Sequence, residues 1–137
     1  MVKLNQMRLI FREGLFLIKR REAMKPIFFK SAQSYEPQKD WKRTSLCDEE
    51  SISIEHFVKP PHHSSPEHFH PSAQILVVLK GKMSVKNQDS EVVLSENDCV
   101  YIEPNEMHTV VNVLDEPSIG LDIFVPGRDF SFWLNKL

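Results

Sequence analysis

The sequence predicts an all-β protein of one domain, and three features of the chain support that fold class. From residue 51 onward, short apolar runs alternate with turn-forming segments, a pattern that is typical of a sandwich or barrel. The same region contains no long apolar stripe with the 3.6-residue period of a helix. The length of 137 residues suits a single domain that buries roughly two-thirds of its unfolded surface.

The strands can be assigned in order along the chain. The first is a half-buried strand at 51–56, in which Ile54 alternates with Ser53 and Glu55. Three prolines within 59–66 exclude regular pairing and predict a loop. An apolar core strand follows at 75–79, and Gly81 ends it in a tight turn. Further short strands are predicted at 83–85, 92–94, 99–102, 107–113 and 119–125, and a turn at 87–90.

The first 24 residues are compositionally different from the rest. Residues 1–23 carry six basic and two acidic side chains, whereas the remainder carries 11 basic and 17 acidic. Apolar residues at 4, 7, 11, 15 and 18 predict a basic amphipathic helix. Alternatively, Met24 is the natural start and residues 1–23 are a translated leader. The codons for Lys-Arg-Arg-Glu at 19–22 can resemble a bacterial ribosome-binding sequence, which would lie just before Met24. We therefore expect a domain at 25–137 whose barrel spans about 50–130, with 25–50 as an arm anchored by Phe28, Phe29 and Trp41.

Composition excludes several classes of partner. The net charge of −2 gives no electrostatic reason to expect nucleic acid or an anionic membrane. No apolar run approaches the ~20 residues of a membrane span. Two distant cysteines, Cys47 and Cys99, cannot form a disulfide framework, which favours a reducing, cytoplasmic location.

The strongest functional signal is a set of residues with metal-ligand chemistry. In the segment His68-Phe69-His70-Pro71-Ser72-Ala73-Gln74 the three possible ligands lie at even spacing. On an extended chain, even spacing directs side chains to one face, so His68, His70 and Gln74 can converge. His108 stands in a later predicted strand and can supply the fourth ligand. Nitrogen-rich ligation suits one divalent transition metal ion: zinc, nickel, iron, manganese, copper or cobalt.

These spacings resemble the paired motifs of the cupin superfamily. Six residues separate Gln74 from Gly81, and Pro104, His108 and Asn112 follow in a second motif. The resemblance implies a single-domain jelly-roll barrel, or double-stranded β-helix, with one metal ion, a small-molecule ligand and a homodimeric assembly. Asn97 and Asn105 stand where the family has glycine, and asparagine is the residue that best tolerates the left-handed conformation such turns need. Gln74 replaces the commoner glutamate, which leaves the full +2 charge on the metal and favours an anionic substrate.

A narrower resemblance is to the pectin-degradation cupins that linearise unsaturated uronates. It rests on His-Phe-His-Pro-x-x-Gln, on Tyr-Ile-x-Pro-Asn-x-x-His and on Leu-Asp-Ile-Phe-x-Pro-x-Arg-Asp-Phe. It implies Asp122 and Arg128 as catalytic residues and Phe124 as a pocket residue. From the alternation of the strand, Asp122 and Phe124 share one face, while Leu121 and Ile123 take the other. Tyr101 is expected to line the mouth of the pocket.

Three functions remain open from the sequence. The first is a metal-dependent lyase, isomerase or hydratase of sugar metabolism that hydrates or opens an unsaturated uronate, with Asp122 exchanging a proton and Arg128 pairing with a substrate carboxylate. The second is an iron-dependent dioxygenase that uses the same ligands. The third is a binding module without catalytic activity.

Overall fold

The computed structural model describes residues 7–12, 15–20 and 24–136, with side chains from residue 24 onward. Within residues 24–136, nine strands form two antiparallel sheets. They are β3 (Ser34–Gln38), β4 (Trp41–Asp48), β5 (Ser53–Lys59), β6 (Ala73–Lys80), β7 (Met83–Lys86), β8 (Glu91–Leu94), β9 (Cys99–Ile102), β10 (Thr109–Asn112) and β11 (Ser118–Val125). Two 3-10 helices cover Phe29–Ser31 and Phe132–Asn135. The predicted all-β class is confirmed.

The larger sheet has six strands in the order β3-β4-β5-β11-β6-β9, and the smaller has three in the order β10-β7-β8. Strand β11 lies between β5 and β6, pairing with both, so its inward side chains occupy the middle of the sheet. A compact apolar cluster holds the barrel together; its members are Phe57, Leu76, Val78, Met83, Val85, Leu94, Ile102 and Val110. The arrangement is the predicted jelly-roll barrel.

The N-terminal segment forms a hairpin where a helix was predicted. Strand β1 (Met7–Arg12) pairs antiparallel with β2 (Leu15–Arg20), so the helix predicted over residues 1–23 is wrong wherever the structure describes the chain. Two residues, Glu13 and Gly14, separate the strands in sequence. Apolar spacing over so short a segment is compatible with both a helix and two strands. The leader hypothesis for residues 1–23 stays a prediction.

The region at 25–50 is more regular than the arm that the sequence predicted. Strands β3 and β4 extend the six-stranded sheet beyond β5. Trp41 is an anchor as expected, with 1% of its surface exposed. Phe28 and Phe29 are exposed and anchor nothing in the core. Some of the polar residues that suggested an arm, such as Arg43, are buried and carry charge into the barrel.

The two asparagines that stand where the family has glycine adopt the left-handed backbone conformation expected at those turns. Asn97 has a φ of 72° and Asn105 a φ of 62°, which confirms that both stand in for glycine in the left-handed region. Gly81 has a φ of 91°, and a Cβ placed there would lie 2.2 Å from Ser118 Oγ. The turn between β6 and β7 therefore requires glycine both for its backbone and for space. Among the described residues, no helix is long and apolar enough to cross a membrane.

Asn112 explains why the second motif ends in asparagine. Its side chain is fully buried, and Nδ2 donates to the carbonyls of Lys59, Pro60 and Glu116 at 3.2, 3.0 and 2.8 Å. Its Oδ1 accepts hydrogen bonds from Leu114 N at 3.1 Å and Ser118 Oγ at 2.8 Å. One amide thus satisfies groups on two loops and on the ends of two strands, β5 and β11.

Replacing Asn112 by alanine is expected to destabilise the protein by at least ~2 kcal/mol, because several buried backbone groups lose their partners at once. Urea unfolding measures the change as a shift of the midpoint at constant slope. The exposed Asn135 supplies the control, since its replacement by alanine should leave the midpoint in place. A similar midpoint for both variants would show that Asn112 is not a structural tie.

Candidate metal centre

Two segments bring three histidines together. His68 and His70 precede β6, and His108 directly precedes β10. Backbone hydrogen bonds of 3.0 and 2.9 Å join His68 and His108 in an antiparallel bridge, so their ring centroids lie 4.2 Å apart. The His70 ring lies 5.3 Å from that of His108. All three side chains are buried, and one ring nitrogen of each lies within 4.8 Å of the others.

Backbone carbonyls determine the tautomer of each imidazole. The Nδ1 atoms of His68, His70 and His108 lie 2.8, 2.9 and 2.7 Å from the carbonyl oxygens of Pro66, Ser72 and Glu106. Because a carbonyl oxygen accepts and never donates, each Nδ1 carries the hydrogen and each Nε2 keeps its lone pair. His108 Nε2 is buried and has no hydrogen-bond partner. Such a cluster of buried lone pairs suits a bound cation.

Gln74 adds a fourth acceptor to the cluster. Its Nε2 donates to Asp122 Oδ1 at 2.8 Å, which turns its Oε1 toward His70 Nε2 at 3.0 Å. Since His70 already donates from Nδ1, two acceptors face each other when the ring is neutral. A cation between them would remove that repulsion. The donor set of three imidazole nitrogens and one amide oxygen therefore fits a divalent transition metal, although ligation by His68, His70, Gln74 and His108 stays a prediction.

Burial keeps the three histidines in the form that binds metal. Loss of solvation and, second to it, the nearby Arg128 lower the pKa of His70 to about 4. Burial likewise lowers the pKa of His68 and of His108. Neutral imidazoles are therefore present at neutral pH, and metal binding does not have to displace a proton from them.

Asp122 connects the histidine cluster to a buried network of charges. Its Oδ2 accepts a hydrogen bond of 2.7 Å from Arg43 Nη2, and Arg43 Nε donates to Glu55 Oε1 at 2.6 Å. Arg128 Nη2 contacts Glu55 Oε2 at 3.4 Å. Burial alone would lower the pKa of Arg43, but Glu55 and Asp122 outweigh it and raise that pKa above its ordinary value. Two guanidinium groups thus face two carboxylates inside the barrel.

The network includes residues that the sequence did not indicate. Along β5 the inward side chains are Ser53, Glu55, Phe57 and Lys59, and the residues between them are half-buried on the outer face. The alternation of residues correctly predicted the strand, but three of the four side chains on its inward face, Ser53, Glu55 and Lys59, are polar or charged. Arg43 and Glu55 were therefore missed as site residues. The signal that could have found them is a charged residue on the same face of each of two neighbouring strands, Arg43 on β4 and Glu55 on β5.

Strand β11 presents the predicted pair of side chains. Asp122 and Phe124 are buried on the inner face, whereas Leu121 and Ile123 are half-buried on the other, as the alternation predicted. The Phe124 ring centroid lies 5.3 Å from that of His70. The Arg128 guanidinium lies over the Phe124 ring, 3.9 Å from its centroid, and burial lowers the pKa of Arg128 to about 10. The structure thus gathers Asp122, Phe124 and Arg128 beside the histidines.

Tyr101 lies elsewhere. Its side chain is 55% exposed, and it alternates along β9 with the inward, buried Ile102. Its hydroxyl donates to Glu103 Oε2 at 3.4 Å. The strand register turns the ring to the outer surface, and the expectation that Tyr101 lines the mouth of the pocket stays a prediction.

A small cavity adjoins His68 and Gln74. Its walls are formed by Arg43, Phe57, Lys59, Ser65, His68, Gln74, Leu76, Val110, Asp122, Arg128 and Trp133. The volume that the centre of a water molecule can occupy in it is about 10 Å³. That is room for roughly one water. The helix Phe132–Asn135, here called the aromatic cover, closes the site: the Trp133 and His68 rings lie 4.5 Å apart, and the Phe132 and His70 rings 6.0 Å apart.

Comparisons with known proteins agree with this architecture. The cupin domain family matches residues 55–124. The chain is similar in structure to KdgF from Halomonas sp., with a TM-score of 0.71 and 19% identity over 78% of this chain and 97% of that one. It is also similar to an RmlC-like cupin from Shewanella frigidimarina, with a TM-score of 0.70 and 20% identity over 78% and 95% of the two chains.

A third similar structure is the polyketide cyclase RemF from Streptomyces resistomycificus, with a TM-score of 0.65 and 20% identity over 78% of this chain and 82% of that one. No curated protein matches the sequence. At these identities the structural similarities establish the fold.

Proposed function

This chain belongs to the cupin family, and from that premise we propose that it is a metal-dependent enzyme acting on a small anionic, sugar-derived molecule. The reaction we propose is hydration or ring-opening of a 4,5-unsaturated uronate. The observation that carries the proposal is the convergence of three buried, neutral imidazoles beside Gln74, whose amide is held by Asp122. When bound there, a divalent ion supplies Lewis acidity toward a substrate oxygen. The resemblance to pectin-degradation cupins and the structural similarity to KdgF support the choice of substrate.

The charges around the site favour an anionic substrate. Arg43 and Arg128 balance Glu55 and Asp122, and Gln74 brings no negative charge to the ligand set. A divalent ion in this site would therefore keep its +2 charge without compensation from the protein. A carboxylate or enolate on the substrate would provide that compensation in a medium of low dielectric constant.

Asp122 is suited to carry a proton in this reaction. Each carboxylate oxygen accepts one hydrogen bond, from Gln74 and Arg43 respectively, so a lone pair remains on each oxygen. The ion pair with Arg43 holds the carboxylate in one orientation. Asp122 can therefore position the ligand Gln74 and also accept a proton from a bound substrate. Arg128 has a buried Nε without a partner and can bind a substrate oxygen.

Purified protein loaded with one divalent ion per chain is expected to consume 4,5-unsaturated uronates, followed as loss of absorbance of the conjugated double bond. Removal of the metal by a chelator should stop the reaction, and metal should restore it. The control is a saturated uronate, which has no such double bond. Absence of turnover with every metal named above would contradict the proposal.

Oxygen uptake by the iron-loaded protein would favour the dioxygenase instead. The homodimer implied by the resemblance and the cytoplasmic location favoured by the cysteine content both stay predictions.

A further inference from the structure

Lys59 is a buried cation that the proposed reaction does not use. It is the fourth inward residue of β5, and 2% of its surface is exposed. Its Nζ lies 2.8 Å from His63 Nδ1 and 4.6 Å from the centroid of the Trp41 ring. Lysines are rarely buried so completely without an anionic partner. The position of Lys59 therefore calls for an explanation.

The hydrogen-bond partner of Lys59 is neutral. His63 Nε2 lies 2.6 Å from Gln38 Oε1 and donates to it, so Nδ1 is the acceptor of a hydrogen bond from Lys59. Burial, and next the charge of Lys59, lower the pKa of His63 to about 4. Among the residues that the structure describes, no carboxylate lies within the 4.0 Å ion-pair distance of Lys59. Within that part of the chain the amine therefore has no carboxylate in direct contact, and Asp122 acts on it only from a longer distance.

Other donors near Lys59 also lack acceptors. Trp133 and Arg128 line the same cavity as Lys59, and Trp133 Nε1 and Arg128 Nε are buried without a hydrogen-bond partner. Trp41 Nε1, in the ring beneath Lys59, is also buried and unpartnered. The histidine cluster thus presents hydrogen-bond acceptors to the cavity, and the wall with Lys59 presents donors. Unsatisfied donors of this kind cost free energy unless a ligand occupies them.

We propose that Lys59 and Trp133 form a subsite for the carboxylate of a ligand, separate from the metal ligands. The ammonium group would supply charge, and the indole N–H a directed hydrogen bond. Burial, and next the charge of Arg43, lower the pKa of Lys59 to about 7, while Asp122 opposes the change. An arriving carboxylate would reverse that effect and hold the amine charged. The subsite deepens the proposed function, because the carboxylate of an anionic substrate would occupy it.

Formate tests the subsite without requiring turnover. Zinc-loaded protein is titrated with sodium formate at constant ionic strength, with sodium chloride as the balancing salt, and tryptophan fluorescence is recorded. The protein contains two tryptophans, and both lie beside Lys59 or the cavity. We expect saturable binding that tightens as the pH falls from 8 to 6, because Lys59 gains its proton over this range while His63 stays neutral.

Three variants assign the signal. Lys59→Met should weaken formate binding by about tenfold or more and remove its pH dependence, with one zinc ion per chain retained. Lys59→Arg should restore binding in part, and exposed Lys80→Met should bind as wild type. Formate binding that is unchanged in Lys59→Met would place the carboxylate on the metal and overturn the subsite. Absence of saturable binding by folded, zinc-loaded wild type would overturn it too, with the uronate reaction still open to its own assay.

Discussion

Alanine at His70 or His108 is expected to abolish metal binding, lowering the content from about one ion per chain to a small fraction of that. Each side chain is buried and presents a lone pair whose direction is imposed by a backbone carbonyl, so neither has a substitute nearby. Alanine at Gln74 should weaken affinity less, since an amide oxygen is a poorer ligand than imidazole for these ions. Elemental analysis of untagged protein after reconstitution gives the stoichiometry, and a chelator should lower the Tm of wild type alone.

The matched control is His56→Ala. His56 is half-buried on the outer face of β5 and contacts the Phe29 ring, so its loss should leave metal content unchanged. Equal losses at Gln74 and His70 would contradict the ranking of the ligands. A stoichiometric ion in His108→Ala would show that the cluster binds metal through other groups.

Asparagine at Asp122 is expected to lower turnover of the unsaturated uronate by about 10²–10⁴, the usual effect of losing a general acid or base. The variant keeps the shape of the side chain but directs an amide NH₂ at either Gln74 Nε2 or Arg43 Nη2, which are themselves donors. Gln74 would then lose its orientation, and metal affinity should fall by roughly 10–100-fold. Steady-state kinetics at saturating metal separates the loss of proton transfer from the loss of metal.

The control for this effect is Asp89→Asn. Asp89 is exposed in the turn between β7 and β8, and its replacement should change neither turnover nor metal affinity. An Asp122→Asn enzyme that becomes as fast as wild type once metal is saturating would leave Asp122 as a positioning residue for Gln74 alone.

The fold class and the convergence of His68 with His70 could be predicted from local rules, whereas His108 joins them across a bridge between distant segments and was indicated by the spacing of the second motif. Even spacing fixes the face on which strand side chains lie, and the turn residues Asn97 and Asn105 adopt the left-handed backbone that their chemistry allows. Asp122 and Phe124 share a face for the same reason. Each of these inferences needs only a few consecutive residues.

The charged interior could not be predicted in this way. Alternation along β5 shows that two faces differ, and the usual assumption places the apolar face inside. In this barrel Glu55 and Lys59 point inward because Arg43 and Trp41 of the paired strand β4, and Arg128 from the far end of the chain, meet them there. The hairpin formed by β1 and β2 illustrates a related limit, because apolar spacing over a short segment is compatible with both a helix and two strands.

The aromatic cover has a consequence for how ligands reach the barrel. It is a single short 3-10 helix whose one buried side chain is Trp133, whereas the histidines beneath it belong to a bridge tied by two backbone hydrogen bonds. Short elements with few buried side chains open at a lower free-energy cost than paired strands do. Ligand exchange is therefore expected to be gated by fraying of the aromatic cover, so that the residence time of a ligand depends on how readily this segment opens.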